Sequence, residues 1–375
     1  MSGLVNTMTR KAFIPSFLKK DVFSEFGEED SSAFFIPSFL RTPKPLKWYD
    51  TPSLVEESNP VVNASGMECE DSARPDEPLG LVLSGGGAKG AYQAGVWAAL
   101  SELGLADRIK AISGTSVGAL NAAVFSTIGD AEKIFHFWHY HVGNIVSPNF
   151  EALEPVKMIS TILSGLIDGE IPLQGLLNRE AVGEIVERVL PDKWSARMPD
   201  VYATSLEYGG APFSVSPTKE NCRIVRFWLN GEQNAGLRRD KILASCAMPW
   251  CFSPVEIRGR CFLDGGWSSK GGDNIPIRPI LVRHPEIRTI IVVRCNSADI
   301  EPTVLPMMSG VRFIEIRPRH PLRGIFDDFP IEGIPLVQRF SGTLAFDPTY
   351  TDAMFAEGKK DGISIMSKVC ARGII

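Results

Sequence analysis

Ser116 is the residue of this sequence that is best placed to do chemistry. It stands between Gly114 and Gly118 in GTSVG, after a short apolar run and before a run of small residues. A serine on a sharp turn between a strand and a helix exposes its hydroxyl, and the helix N-terminus favours negative charge there. Glycines two residues to either side remove side chains that would collide with the neighbouring strand and helix. The pattern predicts a nucleophile, with an ordinary strand-to-helix turn as the alternative for this motif alone.

A second glycine-rich stretch, SGGGAKG, lies upstream and follows the apolar residues 81–83. Gly85, Gly87 and Gly90 satisfy the G-x-G-x-x-G pattern. A dinucleotide site is nevertheless excluded, because the next predicted strand does not end in the acidic residue that binds a ribose. A Walker phosphate loop is excluded too, because glycine rather than serine or threonine follows Lys89.

An oxyanion hole is the remaining interpretation of these glycines. The backbone N–H groups of Gly85, Gly86 and Gly87 can turn toward a developing negative charge, because no side chain restricts them or blocks approach. Lys89 either adds positive potential nearby or is an exposed lysine at the start of a helix. The stretch therefore predicts stabilisation of a carbonyl oxygen under attack.

The five histidines do not supply a convincing base for Ser116. They are His136, His139, His141, His284 and His320. The first three crowd into FHFWHYH, whose spacing could suit a metal but lacks the glutamate of H-E-x-x-H. Bulky aromatic residues surround them, so a packed amphipathic helix is the better interpretation.

Asp264 is the better candidate for the base. It follows the apolar residues CFL and precedes Gly265 and Gly266, which predicts a tight turn at the end of a strand. Aspartate is intrinsically a weak base. It can still take a serine proton if it lies within hydrogen-bond reach in a partly desolvated site. An Asx-type turn is the alternative for this motif alone.

The elements that must position these residues alternate between strands and helices. The predicted strands cover residues 81–83, 109–113, 201–204 and 289–293, and the predicted helices begin near Tyr92 and Ala119. The first helix repeats apolar residues from Tyr92 to Leu103 at intervals of four and three, which predicts one apolar face. The strand at 289–293 is apolar throughout, as expected for burial on both faces. This order predicts an α/β fold with a parallel sheet.

Composition excludes several classes of function. The chain has 375 residues, 44% of them hydrophobic, and a formal net charge of −5, which gives no reason to expect nucleic-acid binding. Seven cysteines without a CxxC pair argue against a disulfide framework and a zinc site. Neither a secretory h-region nor a membrane-spanning apolar run is present. We therefore expect a reduced cytoplasmic protein whose membrane contact, if any, is peripheral.

Residues 1–78 differ from the rest in being rich in proline and acidic clusters, which predicts an extended or disordered extension. FIPSFLK at Phe13–Lys19 recurs as FIPSFLR at Phe35–Arg41. The repeat is either a chance duplication or a pair of docking peptides for this chain, a protein partner or a lipid surface.

Taken together, the motifs resemble the patatin-like phospholipase family in kind and in order. SGGGAKG at 84–90, GTSVG at 114–118 and DGG at 264–266 are similar to its oxyanion loop, nucleophile elbow and D-G-[GA] motif. ILASCAMP at 242–249 resembles its A-S-x-A-x-P segment, and NIP at 274–276 resembles its N-x-P. The resemblance implies a three-layer α/β/α patatin-like fold with a mostly parallel central sheet.

The resemblance also implies a lipid acyl hydrolase of phospholipase A or lysophospholipase type, without metal or organic cofactor. Ser116 would attack the acyl carbonyl, Asp264 would act as base and then activate water, and the glycine loop would stabilise the oxyanion. The catalytic domain is expected at 79–300, with residues 301–375 packing on it or capping it. The substrate would be a membrane phospholipid or lysophospholipid. Acyl transfer, thioester cleavage and a catalytically silent lipid-sensing scaffold are the alternatives.

Overall fold

The computed structural model describes residues 77–141, 147–148, 177–191, 194–195, 197–209, 219–249, 251–267, 270–297, 305, 310–324 and 342–375. The FIPSFL repeat and residues 1–76 lie outside these ranges, so what the sequence predicts for them stays a prediction.

Ten strands and seven α-helices lie within the described residues. The strands are β1 (Leu79–Leu83), β2 (Ile109–Thr115), β3 (Ser147–Pro148), β4 (Leu177–Asn178), β5 (Asp200–Tyr208), β6 (Cys222–Trp228), β7 (Val255–Ile257), β8 (Arg260–Asp264), β9 (Thr289–Val293) and β10 (Arg312–Ile316). The helices are α1 (Gly90–Glu102), α2 (Val117–Ile128), α3 (Ala131–His141), α4 (Glu180–Val189), α5 (Ala235–Ser245), α6 (Arg278–Arg283) and α7 (Pro348–Ala371). Every predicted strand and helix is confirmed, and β9 has the predicted bounds.

The main sheet has eight strands in the order β10-β9-β1-β2-β5-β8-β7, with β6 also paired to β5. Strands β10, β9, β1, β2 and β5 are parallel, whereas β6, β7 and β8 pair antiparallel. Successive side chains of a strand point to opposite faces. In β1, Leu81 and Leu83 join the cluster that includes α1 and α2, while Val82 packs with Ile280 of α6. Helices therefore cover both faces of a mostly parallel sheet, as predicted.

Strand β5 brings the ends of β2 and β8 together. A strand has two edges, and β6 pairs along one edge of β5 from Tyr202 to Tyr208. Strands β2 and β8 pair with β5 over the same residues, so both must lie along its other edge. Strand β2 ends with Thr115 opposite Thr204, and β8 arrives from the other direction and ends with Asp264 opposite Ser205. The residue after β2 is Ser116. The two predicted catalytic residues are neighbours because their strands end at adjacent positions of one edge.

Helix α1 lacks the single apolar face that its sequence pattern predicts. Every residue from Gly90 to Leu100 is buried, because α7 covers the side that would otherwise meet solvent. The two helices approach so closely that a Cβ on Gly358 would overlap the carbonyl oxygen of Tyr92. The Tyr92 hydroxyl donates a hydrogen bond to Asp361 Oδ2 at 2.8 Å. No helix in the described part of the chain is long and apolar enough to cross a membrane.

Candidate active site

The predicted nucleophile elbow forms between β2 and α2. Ser116 has φ 57° and ψ −130°, a backbone conformation that L-residues seldom adopt. A Cβ on Gly114 would overlap the carbonyl oxygen of Gly118, and a Cβ on Gly118 would overlap that of Leu83. The two glycines of the motif therefore let α2 begin directly against β1 and β2. The helix N-terminus, with its partial positive charge, follows Ser116 immediately.

Asp264 lies at the end of β8 and is only 5% exposed. Its Oδ1 accepts a hydrogen bond from the Gly266 N–H at 2.7 Å, and its carboxylate lies within reach of the Ser116 side chain. Burial raises the pKa of Asp264 from 3.8 to about 6, although its interactions with Ser116 and Gly266 oppose the rise. The residue thus forms the Asx-type turn and also contacts the predicted nucleophile.

The last residue of α5 and the chain just after it contact both of these residues. Ser245 Oγ accepts the Ser116 N–H at 2.9 Å and donates to the Thr204 carbonyl oxygen at 2.6 Å. The Asp264 N–H donates to the Ala247 carbonyl oxygen at 2.9 Å. The sequence motif ASCAMP identified this segment but not these contacts. The serine of this motif was the available signal, but nothing local in the sequence shows that it meets Ser116.

The glycine loop passes beside Ser116. The Gly85 N–H donates to Asn274 Oδ1 at 2.9 Å, so in this structure it is engaged by a side chain. Within the described residues, neither the Gly86 nor the Gly87 N–H has an acceptor. Gly87 has φ 59°, which suits glycine. The loop therefore presents two successive unbonded N–H groups after one that is held in place.

A buried polar network supports the start of this loop. Gln93 Nε2 donates to the Ser84 carbonyl oxygen at 2.7 Å, and Asn121 Nδ2 donates to Gln93 Oε1 at 3.0 Å. Ser84 Oγ accepts the Cys295 N–H at 2.9 Å. Lys89 is only 4% exposed, and its Nζ donates to an asparagine side chain beyond β9. Of the two interpretations of Lys89, exposure at a helix start is wrong, because the chain beyond β9 packs over it.

The histidine-rich stretch forms α3, the packed helix that its pattern predicts. Ile134, Phe137 and Trp138 are buried, and His139 Nδ1 lies 2.8 Å from Asp352 Oδ2 on α7. Across the residues the structure describes, no three His, Cys, Asp or Glu side chains converge in a way that could hold a metal ion.

Comparisons with known proteins show which family this chain resembles. The family model described as patatin-like phospholipase matches residues 81–281. The human patatin-like phospholipase domain-containing protein 6 is 24% identical over 221 residues, which are 59% of this chain and 14% of that protein. The lysophospholipase nte1 of Aspergillus terreus is 46% identical over 57 residues, covering 15% of this chain and 4% of that protein. The match thus spans a small part of these curated relatives.

Two solved structures align with this chain at low sequence identity. VipD from Legionella pneumophila aligns with a TM-score of 0.38 and 15% identity, over 79% of this chain and 68% of that one. Human GIVD cytosolic phospholipase A2 aligns with a TM-score of 0.42 and 11% identity, over 80% and 60%. The family model covers more than half of the 375 residues and includes both glycine motifs and Asp264. The chain therefore belongs to the patatin-like phospholipase family.

Proposed function

We propose that the protein hydrolyses carboxylic ester bonds of membrane lipids, as a phospholipase A or a lysophospholipase. The observation that carries the proposal is the contact between the half-buried Ser116 and the buried carboxylate of Asp264. With its pKa raised to about 6, Asp264 is a stronger base than an exposed aspartate and is still mostly ionised at neutral pH. Family membership and the names of the relatives support a lipid ester as the substrate.

In the first step, Ser116 Oγ attacks the acyl carbonyl carbon while its proton passes to Asp264. The carbonyl electron pair moves onto oxygen and forms a tetrahedral oxyanion. Of the three predicted donors, we assign stabilisation of this charge to the N–H groups of Gly86 and Gly87, and the holding of the loop to Gly85. The N-terminus of α2 adds favourable potential.

Collapse of the intermediate breaks the ester bond. The leaving alcohol of the lipid takes the proton from Asp264, and the acyl group stays on Ser116. A water molecule then attacks the acyl carbon and gives its proton to Asp264. Release of Ser116, which regains that proton, yields the free fatty acid and restores both residues.

The test is product analysis by mass spectrometry on vesicles that contain phospholipids and lysophospholipids. We expect wild type to release free fatty acid, and Ser116→Ala to lower the rate at least ~10³-fold. Equal release by both proteins would contradict the proposal. Acyl transfer to an added alcohol or thiol, with little free acid, would indicate the transferase or thioesterase alternative. Lipid binding without turnover by either protein would indicate a scaffold.

We further propose a cytoplasmic location, because the seven cysteines do not suggest a disulfide framework, and peripheral membrane contact, because the proposed substrate is a membrane lipid. The repeated segments Phe13–Lys19 and Phe35–Arg41 are proposed as docking peptides, since aromatic residues around a proline suit a groove or an interface. Deletion of residues 1–76 should change activity, oligomeric state or membrane recruitment. The docking proposal would be wrong if all three stayed the same.

A further inference from the structure

We infer that Asn274 is a positioning residue that holds the oxyanion loop, residues 84–87, beside Ser116 and Asp264. The inference rests on the proposed function, because the position of the loop matters only if an acyl carbonyl is attacked. The Gly85 N–H donates to Asn274 Oδ1 at 2.9 Å, between residues 189 positions apart. A single side chain thus joins the loop to a segment that is distant in sequence.

The main chain before Asn274 is itself tied to the dyad. The Asp273 carbonyl oxygen accepts the Thr115 hydroxyl at 2.7 Å, and the Asp273 N–H donates to the Gly265 carbonyl oxygen at 2.7 Å. The Asp273 carboxylate also pairs with Arg226 at 2.7 Å. Thr115 precedes the nucleophile and Gly265 follows the base. Asn274 therefore extends from a backbone that the chain neighbours of Ser116 and Asp264 help to fix.

Asn274 also fills the space beside both members of the dyad. Its Oδ1 lies 2.6 Å from where a Cβ on Gly85 would stand, and 2.7 Å from a Cβ on Gly266. The first of these positions is 3.0 Å from Ser116 Cβ, and the second is 3.1 Å from Asp264 Oδ1. Glycine at 85 and 266 leaves room for this side chain, which is why the loop, the elbow and the DGG turn can meet.

The consequence for catalysis follows from the order of N–H groups along the loop. Asn274 engages the first, so the next two, from Gly86 and Gly87, are aimed by a fixed backbone. A misplacement of about 1 Å can lower a rate by about 10²-fold. The oxyanion exists only in the transition state and the tetrahedral intermediate, so the loss should appear in kcat rather than in KM.

The test replaces the acceptor in the full-length protein with Asn274→Ala. The matched control is Asn230→Ala, because Asn230 Oδ1 likewise accepts a backbone N–H, that of Val201 at 2.7 Å, at the start of β5. We expect the Gly85 amide to exchange its hydrogen at least ~10-fold faster in Asn274→Ala than in wild type. We also expect kcat on lysophospholipid to fall about 10- to 100-fold with KM nearly unchanged. The control should keep both wild-type values.

A second variant separates positioning from general damage. Asn274→Asp keeps an oxygen that can accept the Gly85 N–H, so it should restore the slow exchange of that amide. Unchanged exchange and kcat in Asn274→Ala, or equal losses in Asn230→Ala, would overturn the inference. If wild type released no fatty acid, the proposed function would fall, whereas the exchange rates would still decide whether Asn274 holds the loop.

Discussion

Glycines bring backbones into contact in two regions of this molecule, the nucleophile elbow and the interface between α1 and α7. At the elbow, a Cβ on Gly118 would overlap the Leu83 carbonyl oxygen. Between the helices, a Cβ on Gly358 would overlap the carbonyl oxygen of Tyr92. The same steric rule has different consequences in the two places. The elbow holds Ser116 in a disfavoured conformation beside a buried carboxylate, whereas the helix interface joins regular helices and satisfies a buried hydroxyl.

Close packing of backbones can therefore serve either chemistry or stability. A strained backbone and a buried charge both oppose folding, so they persist only where surrounding contacts hold them. The elbow contains both of these unfavourable features. The interface of α1 with α7 is one of the regions whose packing can offset their cost to folding. Changes at the elbow should therefore reduce activity first, and changes between the helices should reduce stability first.

The largest effect is expected from Asp264→Asn, which removes the buried charge and keeps the shape of the side chain. An amide cannot take the serine proton, so hydrolysis should fall at least ~10³-fold. Because folding raises the pKa of Asp264 from 3.8 to about 6, its contribution to stability is fully present below about pH 4 and is lost as the pH rises through about 6. At pH 8 the variant should therefore be more stable than wild type, by about 1–3 kcal/mol.

Urea unfolding of both proteins at pH 8 and at pH 4 measures this difference. The advantage of Asp264→Asn should shrink at pH 4, where the wild-type carboxyl is largely protonated in the folded state. A variant that is less stable than wild type at pH 8 would show that the buried carboxylate is not a source of instability, and the proposed contrast between the two regions would then be wrong.

The next largest effect is expected from Gly118→Ala. The added Cβ must displace either α2 or β1, and both carry neighbours of the reacting atoms. We expect kcat to fall about 10²-fold, with a loss of folding free energy of about 1–3 kcal/mol. Steady-state kinetics on protein shown to be folded by circular dichroism provides the check. Near-normal kcat would mean that the elbow tolerates movement.

The pH dependence of wild type should give a smaller effect. Asp264 must be ionised to accept the serine proton, so kcat/KM should fall about 10-fold per pH unit below a pKa of about 6. A water-soluble aryl ester avoids changes in the lipid surface over the same range. If kcat/KM stayed constant down to pH 4, the result would argue against Asp264 as the base.

The smallest effect on activity is expected from Gly358→Ala, which adds a Cβ between α1 and α7. Stability should fall by about 1–3 kcal/mol, and kcat of the folded protein should stay within about threefold of wild type. The matched control is Gly183→Ala in α4, where the added Cβ would find ordinary contacts no closer than 3.7 Å. The control should be about 0.5–1 kcal/mol more stable than wild type. If Gly358→Ala lost activity without losing stability, the interface between α1 and α7 would not serve stability alone.

The sequence predicts the parts of the fold that local patterns determine. β9 consists of one threonine and four apolar residues between Arg288 and Arg294, so its bounds could be read from the sequence. The elbow and the glycine loop can be predicted because each motif lies within one strand–turn–helix unit, although Gly85 and Gly118 also leave room for segments outside their own unit. The fold class followed from two such units in succession.

Features that depend on distant segments could not be predicted in the same way. The meeting of β2 and β8 on one edge of β5 is a property of the whole sheet, so the sequence gives Asp264 as a base only through its turn and its family resemblance. The contacts of Ser245 and Asn274 join segments more than a hundred residues apart. The burial of α1 on all sides depends on α7. Gly358 and Gly362, four residues apart, were the available signal for that contact.

The shared edge of β5 limits how this protein can change its length. The strand before Ser116 ends opposite Thr204 and the strand of Asp264 ends opposite Ser205, so β5 sets the spacing between the two predicted catalytic residues. One residue inserted there would separate the two strand ends by about 3.3 Å and turn the following side chains to the other face. We expect β5 to accept substitutions that preserve packing, but not insertions or deletions. Changes of length are then expected in the segments that connect the strands.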